Sequence, residues 1–141
     1  MGSSAEGVDT YVLSGQRGRP LVLAFYPADR SVVCTRQLCS YQSDLSALTD
    51  LGASVWGISP QGIASHESFA AEHGLTFPLL ADTDRAVARR YGVDGLLAVK
   101  RSVFVIDPAG VVRWRSVSGM GLTFESTATI AQVVRRLSAV A

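Results

Sequence analysis

The feature that most constrains the fold is an uninterrupted apolar run over residues 21–26, which ends at Pro27. Runs that are apolar at every position are typical of strands covered on both faces, as in parallel sheets. A second strand of this kind is predicted over residues 54–59. Between the two strands, apolar residues recur at helical spacing and Gly52 ends the pattern. The members of this helical stripe are Cys34, Leu38, Tyr41, Leu45 and Leu48.

The rest of the chain continues the alternation of strands and helices. A helix is predicted over residues 63–73, an extended segment over 77–80, and a short helix from Asp82 or Thr83 through Tyr91. The later elements are strands over 99–106 and 111–117, a turn over 107–110, and a last helix capped by Ser126 or Thr127. This order predicts an α/β thioredoxin-like fold, with a central mixed β-sheet flanked by helices.

Length and composition predict one domain over residues 1–141, with a disordered lead over residues 1–10. Hydrophobic residues make up 48% of the 141 residues, which is enough to fill a core. The formal net charge of +1 gives no electrostatic footprint for nucleic acid or for a membrane surface. With neither a signal peptide nor a spanning segment in the pattern, we expect a soluble, cytoplasmic protein.

The chemistry is predicted to lie at the junction of the first buried strand and its helix. Cys34 falls in the first helical turn, where unpaired backbone N–H groups and the helix dipole favour the nucleophilic thiolate. Ser31 stands three positions earlier, so its hydroxyl faces the same space, although a plain helix cap also explains it. For Cys34 and Cys39 the alternative is two buried thiols that act as small apolar residues.

The spacing Pro-x-x-x-Ser-x-x-Cys over residues 27–34 resembles the peroxiredoxin motif. Cys-x-x-x-x-Cys over residues 34–39 is similar to the Q-type (bacterioferritin-comigratory-protein-like) branch of that family. Ser59-Pro60 and residues 77–82 match as well, and residues 101–107 resemble the second active-site segment. The resemblance runs from about residue 21 to residue 117.

The resemblance implies a thiol peroxidase in which Cys34 is the peroxidatic thiolate and Cys39 the resolving thiol. Pro27 would shield the thiolate, and the Ser31 hydroxyl would hold peroxide oxygens together with nearby backbone N–H groups. Arg101 would favour the thiolate and stabilise charge that develops during displacement. The implied partners are a hydroperoxide and a thioredoxin or similar dithiol reductant, for a monomer or homodimer without a cofactor or a metal.

The chain departs from the Q-type pattern at several positions, and its N-terminus is shortened relative to the family, with twenty residues before the first predicted strand at residue 21. Val32 and Val33 stand where Pro-Gly is usual, and Gln37 stands where an acidic residue is usual. On a regular helix, Cα atoms five positions apart lie about 8–9 Å from each other, beyond the ~7 Å that a disulfide can close. A bond between Cys34 and Cys39 therefore requires this helix to unwind. Gln37 is predicted to offer no packing that resists unwinding, and the head of Arg101 is predicted to be exposed.

Two other functions stay open. A thioredoxin-like dithiol oxidoreductase would need Cys-x-x-Cys, and a cis-proline where Lys100 and Arg101 stand. A non-catalytic relative that acts as a binding or assembly partner is the other alternative. His66 and His73 share a helix face, and we interpret them as solvated surface residues rather than metal ligands.

Overall fold

The computed structural model describes residues 2–4, 7–9, 18–29, 31–95, 98–118 and 124–140. Within these residues the chain forms seven strands and five helices. The strands are β1 Gly2–Ser4, β2 Gly7–Asp9, β3 Leu21–Phe25, β4 Ser54–Ser59, β5 Leu79–Ala81, β6 Ser102–Ile106 and β7 Val112–Val117. The helices are α1 Val32–Ser43, α2 Leu45–Thr49, α3 Ile63–His73, α4 Ala86–Arg90 and α5 Thr127–Val140.

All seven strands belong to one mixed sheet in the order β2-β1-β5-β4-β3-β6-β7. Strand β3 lies near its centre, parallel to β4 and antiparallel to β6. This position explains why residues 21–26 are apolar throughout, since neither face of β3 meets solvent. The predicted thioredoxin-like mixed sheet is confirmed.

Alternate residues of β3 belong to two different cores. Val22 and Ala24 pack with Leu38 of α1, Phe69 of α3 and Ile130 of α5. On the opposite face, the other residues of β3 pack with side chains of β4, α4 and β6. Helices therefore cover both faces, and Cys34 belongs to the core that contains α1. None of the described helices is long and apolar enough to cross a membrane.

The N-terminal segment differs from the disordered lead predicted over residues 1–10. Strands β1 and β2 pair antiparallel with each other, and β1 also pairs with β5. A short leading hairpin is therefore present. Local sequence does not reveal it, because β1 is held by an edge that comes from residues about eighty positions away.

The predicted single helix from Cys34 to Leu48 is also wrong. Asp44 adopts φ −104° and ψ 16°, which ends α1 and starts the separate helix α2. Asp is a poor residue for a helix interior because its side chain competes for backbone hydrogen bonds. The break confines the helix that carries both cysteines to residues 32–43.

Candidate active site

The nucleophile candidate lies where β3 gives way to α1. Ser31 has extended backbone angles and caps the helix, and its Oγ accepts a hydrogen bond from the Cys34 backbone N–H at 3.3 Å. The cap interpretation of Ser31 is thus confirmed. Its own O–H remains a donor that can point to a ligand. Cys34 is fully buried in the first turn.

Arg101 lies against Cys34, since its Nη2 donates to the Cys34 Sγ at 3.2 Å. The sheet makes this contact possible because Ser102, the first residue of β6, pairs with Phe25 at the end of β3. Arg101 therefore stands at the same end of the sheet as the start of α1. Contrary to the sequence-based expectation, the Arg101 side chain is buried, with 3% of the residue exposed.

Gln37 connects this pair to the rest of the fold. Its Oε1 accepts from Arg101 Nη1 at 2.6 Å, and its Nε2 donates to the Tyr41 hydroxyl at 3.1 Å. That hydroxyl donates in turn to the Glu125 backbone carbonyl at 2.9 Å. Gln37 is fully buried, so the prediction that it offers nothing against unwinding is wrong. We call Arg101, Gln37 and Tyr41 the Arg101 network.

Cys39 differs from Cys34 in its surroundings. It is half-buried on the same helix, and burial raises the pKa of its thiol. Both cysteines are free thiols. Because α1 is regular over residues 32–43, the helix geometry that forbids a direct Cys34–Cys39 bond holds for this structure.

A second set of polar side chains lies beside the connection that carries Pro27. Pro27 is half-buried and lies two residues after the end of β3. Two residues later, the Asp29 carboxylate meets His66 of α3 at 2.8 Å, and both side chains are buried. The interpretation of His66 as a solvated surface residue is therefore wrong. The described residues contain no group of three or more His, Cys, Asp or Glu side chains placed to hold a metal.

Comparison with known proteins decides the family. The family model described as AhpC/TSA matches residues 3–115, a stretch that includes Pro27, Ser31, Cys34, Cys39 and Arg101. The chain belongs to the AhpC/TSA family. Its resemblance to the Q-type branch is confirmed by the relatives that follow.

Relatives from plants and bacteria carry the names of that branch. The chloroplastic peroxiredoxin Q of Triticum aestivum is 39% identical over 108 residues, which cover 74% of this chain and 50% of the relative. The putative peroxiredoxin bcp of Coxiella burnetii is 33% identical over 135 residues and covers 89% of this chain and 85% of the relative. The chain spans about half the length of the plant relatives.

A solved structure of the Xanthomonas campestris bacterioferritin comigratory protein has the same fold. It superimposes with a TM-score of 0.81 at 27% identity and covers 98% of this chain and 89% of that one. The sequence analysis does not identify two groups that the structure places near Cys34, which are Gln37 and the Asp29–His66 pair. One signal was present, because His66 shares the α3 stripe of Ile63, Phe69 and Ala70.

Proposed function

We propose that this protein is a thiol-dependent peroxidase in which Cys34 reduces hydrogen peroxide or organic hydroperoxides. The observation that carries the proposal is the 3.2 Å contact between Arg101 Nη2 and Cys34 Sγ in the first turn of α1. A guanidinium and a helix N-terminus both favour the thiolate, which is the reactive form. The Xanthomonas campestris relative has alkyl peroxide reduction activity, in agreement with this class of substrate.

The proposed reaction transfers one oxygen to sulfur. The Cys34 thiolate attacks one peroxide oxygen, the O–O bond breaks, and the leaving oxygen takes up a proton to become water or an alcohol. Cys34 becomes a sulfenic acid. Arg101 is placed to stabilise the charge that moves from sulfur to the leaving oxygen, while the Ser31 hydroxyl and the first N–H groups of α1 supply further donors.

Resolution is proposed to follow through Cys39. Its thiolate attacks the Cys34 sulfur, a disulfide forms, and the sulfenic oxygen leaves as water. A thioredoxin or similar dithiol then returns both residues to thiols and is itself oxidised. A reductant of this kind belongs to a reducing compartment, which supports a cytoplasmic location. Pro27 is proposed to limit access of water to the sulfur from the β3 side of the connection.

The test measures peroxide consumption by the reduced protein without an external reductant. The wild type and Cys39→Ser are expected to consume at least one equivalent of hydrogen peroxide, whereas Cys34→Ser consumes none. An external dithiol should make turnover continuous in the wild type. A wild-type protein that leaves peroxide untouched would instead favour the non-catalytic alternative. Reduction of a protein disulfide without peroxide consumption would favour a dithiol oxidoreductase.

A further inference from the structure

We propose that Asp29 and His66 form a buried hydrogen-bonded pair that positions the connection between β3 and α1 for the reaction of Cys34 with peroxide. They would act as positioning residues, since neither contacts the sulfur in this structure. The inference rests on the proposed function and adds two residues to it. Its basis is a set of contacts that joins the connection to α3 and β5.

The Asp29 carboxylate is held by three donors. His66 Nδ1 lies 2.8 Å from Oδ2, Ser65 donates to the same oxygen at 2.7 Å, and the Tyr26 hydroxyl donates to Oδ1 at 2.7 Å. The side chains of His66 and Asp29 are 0% and 1% exposed. Burial alone raises the pKa of Asp29, but the hydrogen bonds from His66, Ser65 and Tyr26 outweigh it and the pKa is lowered. The carboxylate is therefore ionised and can only accept.

The contacts of His66 fix the orientation of its ring. Its Nε2 lies 2.9 Å from the backbone carbonyl of Leu80 in β5. Its Nδ1 lies 2.8 Å from Asp29 Oδ2 and 3.4 Å from the Tyr26 hydroxyl. The buried Asp29 carboxylate therefore contacts a ring that is itself held from β5, and removal of His66 would leave a buried charge without this partner.

The pair fixes the connection at the residue that lies midway between Pro27 and Ser31. The Asp29 backbone N–H donates to Gln61 Oε1 at 2.6 Å, so its main chain and its side chain are both held from the segment that begins α3. Pro27 and Ser31 are each two positions away, and both are proposed to border the peroxide. An error of about 1 Å in such a site can cost roughly 100-fold in rate.

Tyr26 links the pair to the nucleophile. Its hydroxyl donates to Asp29, and its side chain is fully buried beside the Cys34 core. Burial, then the charge of Asp29 and its hydrogen bond, and finally the charge of Cys34 all raise the pKa of Tyr26. The phenol therefore stays protonated as a fixed donor between the pair and the site. The second network, defined as Asp29, His66 and Tyr26, is called the His66 network below.

The test compares two reactions of Cys34 in the full chain. Hydrogen peroxide needs a formed pocket around the sulfur, whereas iodoacetamide reports the reactivity of the thiolate without that pocket. The variants are Asp29→Asn, His66→Gln and the double substitution, with His73→Gln as the matched control. His73 lies on the same helix and contacts Glu72 and Phe69 rather than the connection. Peptide mapping by mass spectrometry assigns each reaction to Cys34.

We expect each single variant to lose at least about tenfold in the rate with peroxide and to change less than about threefold in alkylation. The double variant should lose no more than the single ones, since two residues that act as a pair are not additive. His73→Gln should leave both rates unchanged. Equal losses in both reactions, additive losses, or unchanged peroxide rates would overturn the proposal.

Ser65→Ala keeps the test decisive if the Asp29 and His66 variants fail to fold. This change removes only one donor from Asp29 at a half-buried position, and it should lower the peroxide rate about two- to fivefold without an effect on alkylation. An unchanged peroxide rate in Ser65→Ala would then overturn the inference. The absolute wild-type rate tests the peroxidase function itself, and the ratio of variant to wild type tests the pair, so the two failures are distinguishable.

Discussion

The two buried networks near Cys34 differ in what the disulfide step requires of them. In the Arg101 network, Gln37 and Tyr41 belong to α1, the helix that must unwind before Cys39 can reach Cys34. All three residues of the His66 network lie outside α1. Tyr26 directly follows β3, Asp29 belongs to the connection, and His66 belongs to α3. One network is thus broken in each proposed catalytic cycle, while the other can stay intact.

The difference shows how one site can combine mobility with precision. In the proposed cycle, the Arg101 network would stabilise the helical, peroxide-reactive state and would break during resolution. The His66 network would keep the residues before α1 in place, so that α1 refolds against a fixed surface once the thiols are regenerated. Local opening of a helix has a low free-energy cost only where few buried contacts are lost, and the buried contacts of Gln37 add to that cost here.

The largest effect is expected from Cys39→Ser, which removes the thiol whose bond to Cys34 would require α1 to unwind. After one equivalent of peroxide, the wild type should contain an intramolecular disulfide. The variant should instead stop at a Cys34 sulfenic acid that excess peroxide converts to sulfinic acid. Hydrogen exchange should rise over residues 32–43 in the oxidised wild type only, and should stay low over residues 21–29 in both proteins. If Cys39 of the oxidised wild type remains a thiol, α1 does not have to unwind, and the two networks do not differ in the proposed way.

Arg101→Ala should have the next largest effect. Loss of a donor that stabilises developing charge raises the barrier to peroxide reduction by about 2 kcal/mol or more, roughly 30-fold in rate. Because Arg101 is buried and bonded to Gln37, the free energy of unfolding should also fall by about 1–3 kcal/mol. Arg115→Ala, exposed on β7, is the control for loss of an arginine. Stopped-flow kinetics that match the wild type would take Arg101 out of the site.

Most of the fold, and the residues that meet at the start of α1, could be predicted from the sequence for identifiable physical reasons. Strand β4 and helix α3 have the predicted bounds, because each is marked by a local period and α3 ends at Gly74 in the left-handed conformation. Ser31 could be predicted because it stands just before the start of a helix, and Cys34 because it falls in the first turn of that helix. Arg101 came from resemblance to a family motif, and its proximity to Cys34 depends on the pairing of β3 with β6.

The errors share one cause, which is that side chains distant in sequence decide them. The sequence predicts His66 to be a surface residue because no ligand-type residue lies near it along the chain, yet Asp29, 37 positions away, makes its burial possible. The sequence predicts that Gln37 does not resist unwinding because its partner Arg101 is 64 positions away. The burial of a polar group can be predicted only when its hydrogen-bond partner is known, and the sequence alone does not identify that partner.

Gln37→Leu sharpens the comparison because it weakens only the Arg101 network. The substitution keeps the approximate side-chain length but leaves Arg101 Nη1 and the Tyr41 hydroxyl without this partner, which should cost about 1–3 kcal/mol in the free energy of unfolding. With α1 easier to open, disulfide formation after peroxide should become several-fold faster. Exchange should increase over residues 32–43 but not over 21–29.

Gln132→Leu, on the exposed side of α5, is the matched control for Gln37→Leu and should change neither exchange nor disulfide formation. Quench-flow measurement of the disulfide gives the rate directly. If disulfide formation slows in Gln37→Leu, then the contacts of Gln37 assist the reactive state more than they restrain the helix, and the assignment of the opening cost to this residue is wrong.

The smallest expected effect concerns Tyr41, the residue through which the Arg101 network reaches the segment before α5. Burial raises the pKa of Tyr41 to about 12 from an ordinary value of 10.0. A group with a raised pKa contributes stability that is present below its unfolded pKa and is lost as pH rises through the folded pKa. Tyr41 should therefore weaken the fold between pH 10 and pH 12.

Tyr41→Phe should cost about 0.5–1.5 kcal/mol at neutral pH, because the hydroxyl bonds to Gln37 and Glu125 are lost. In the same variant the free energy of unfolding should decline less steeply above pH 10. Denaturant unfolding across this range, with tyrosinate absorbance followed in parallel, measures the difference. Equal stability of the wild type and Tyr41→Phe at neutral pH would mean that the Tyr41 hydroxyl does not connect α1 to the residues before α5, and parallel pH profiles would mean that the pKa of Tyr41 is not raised.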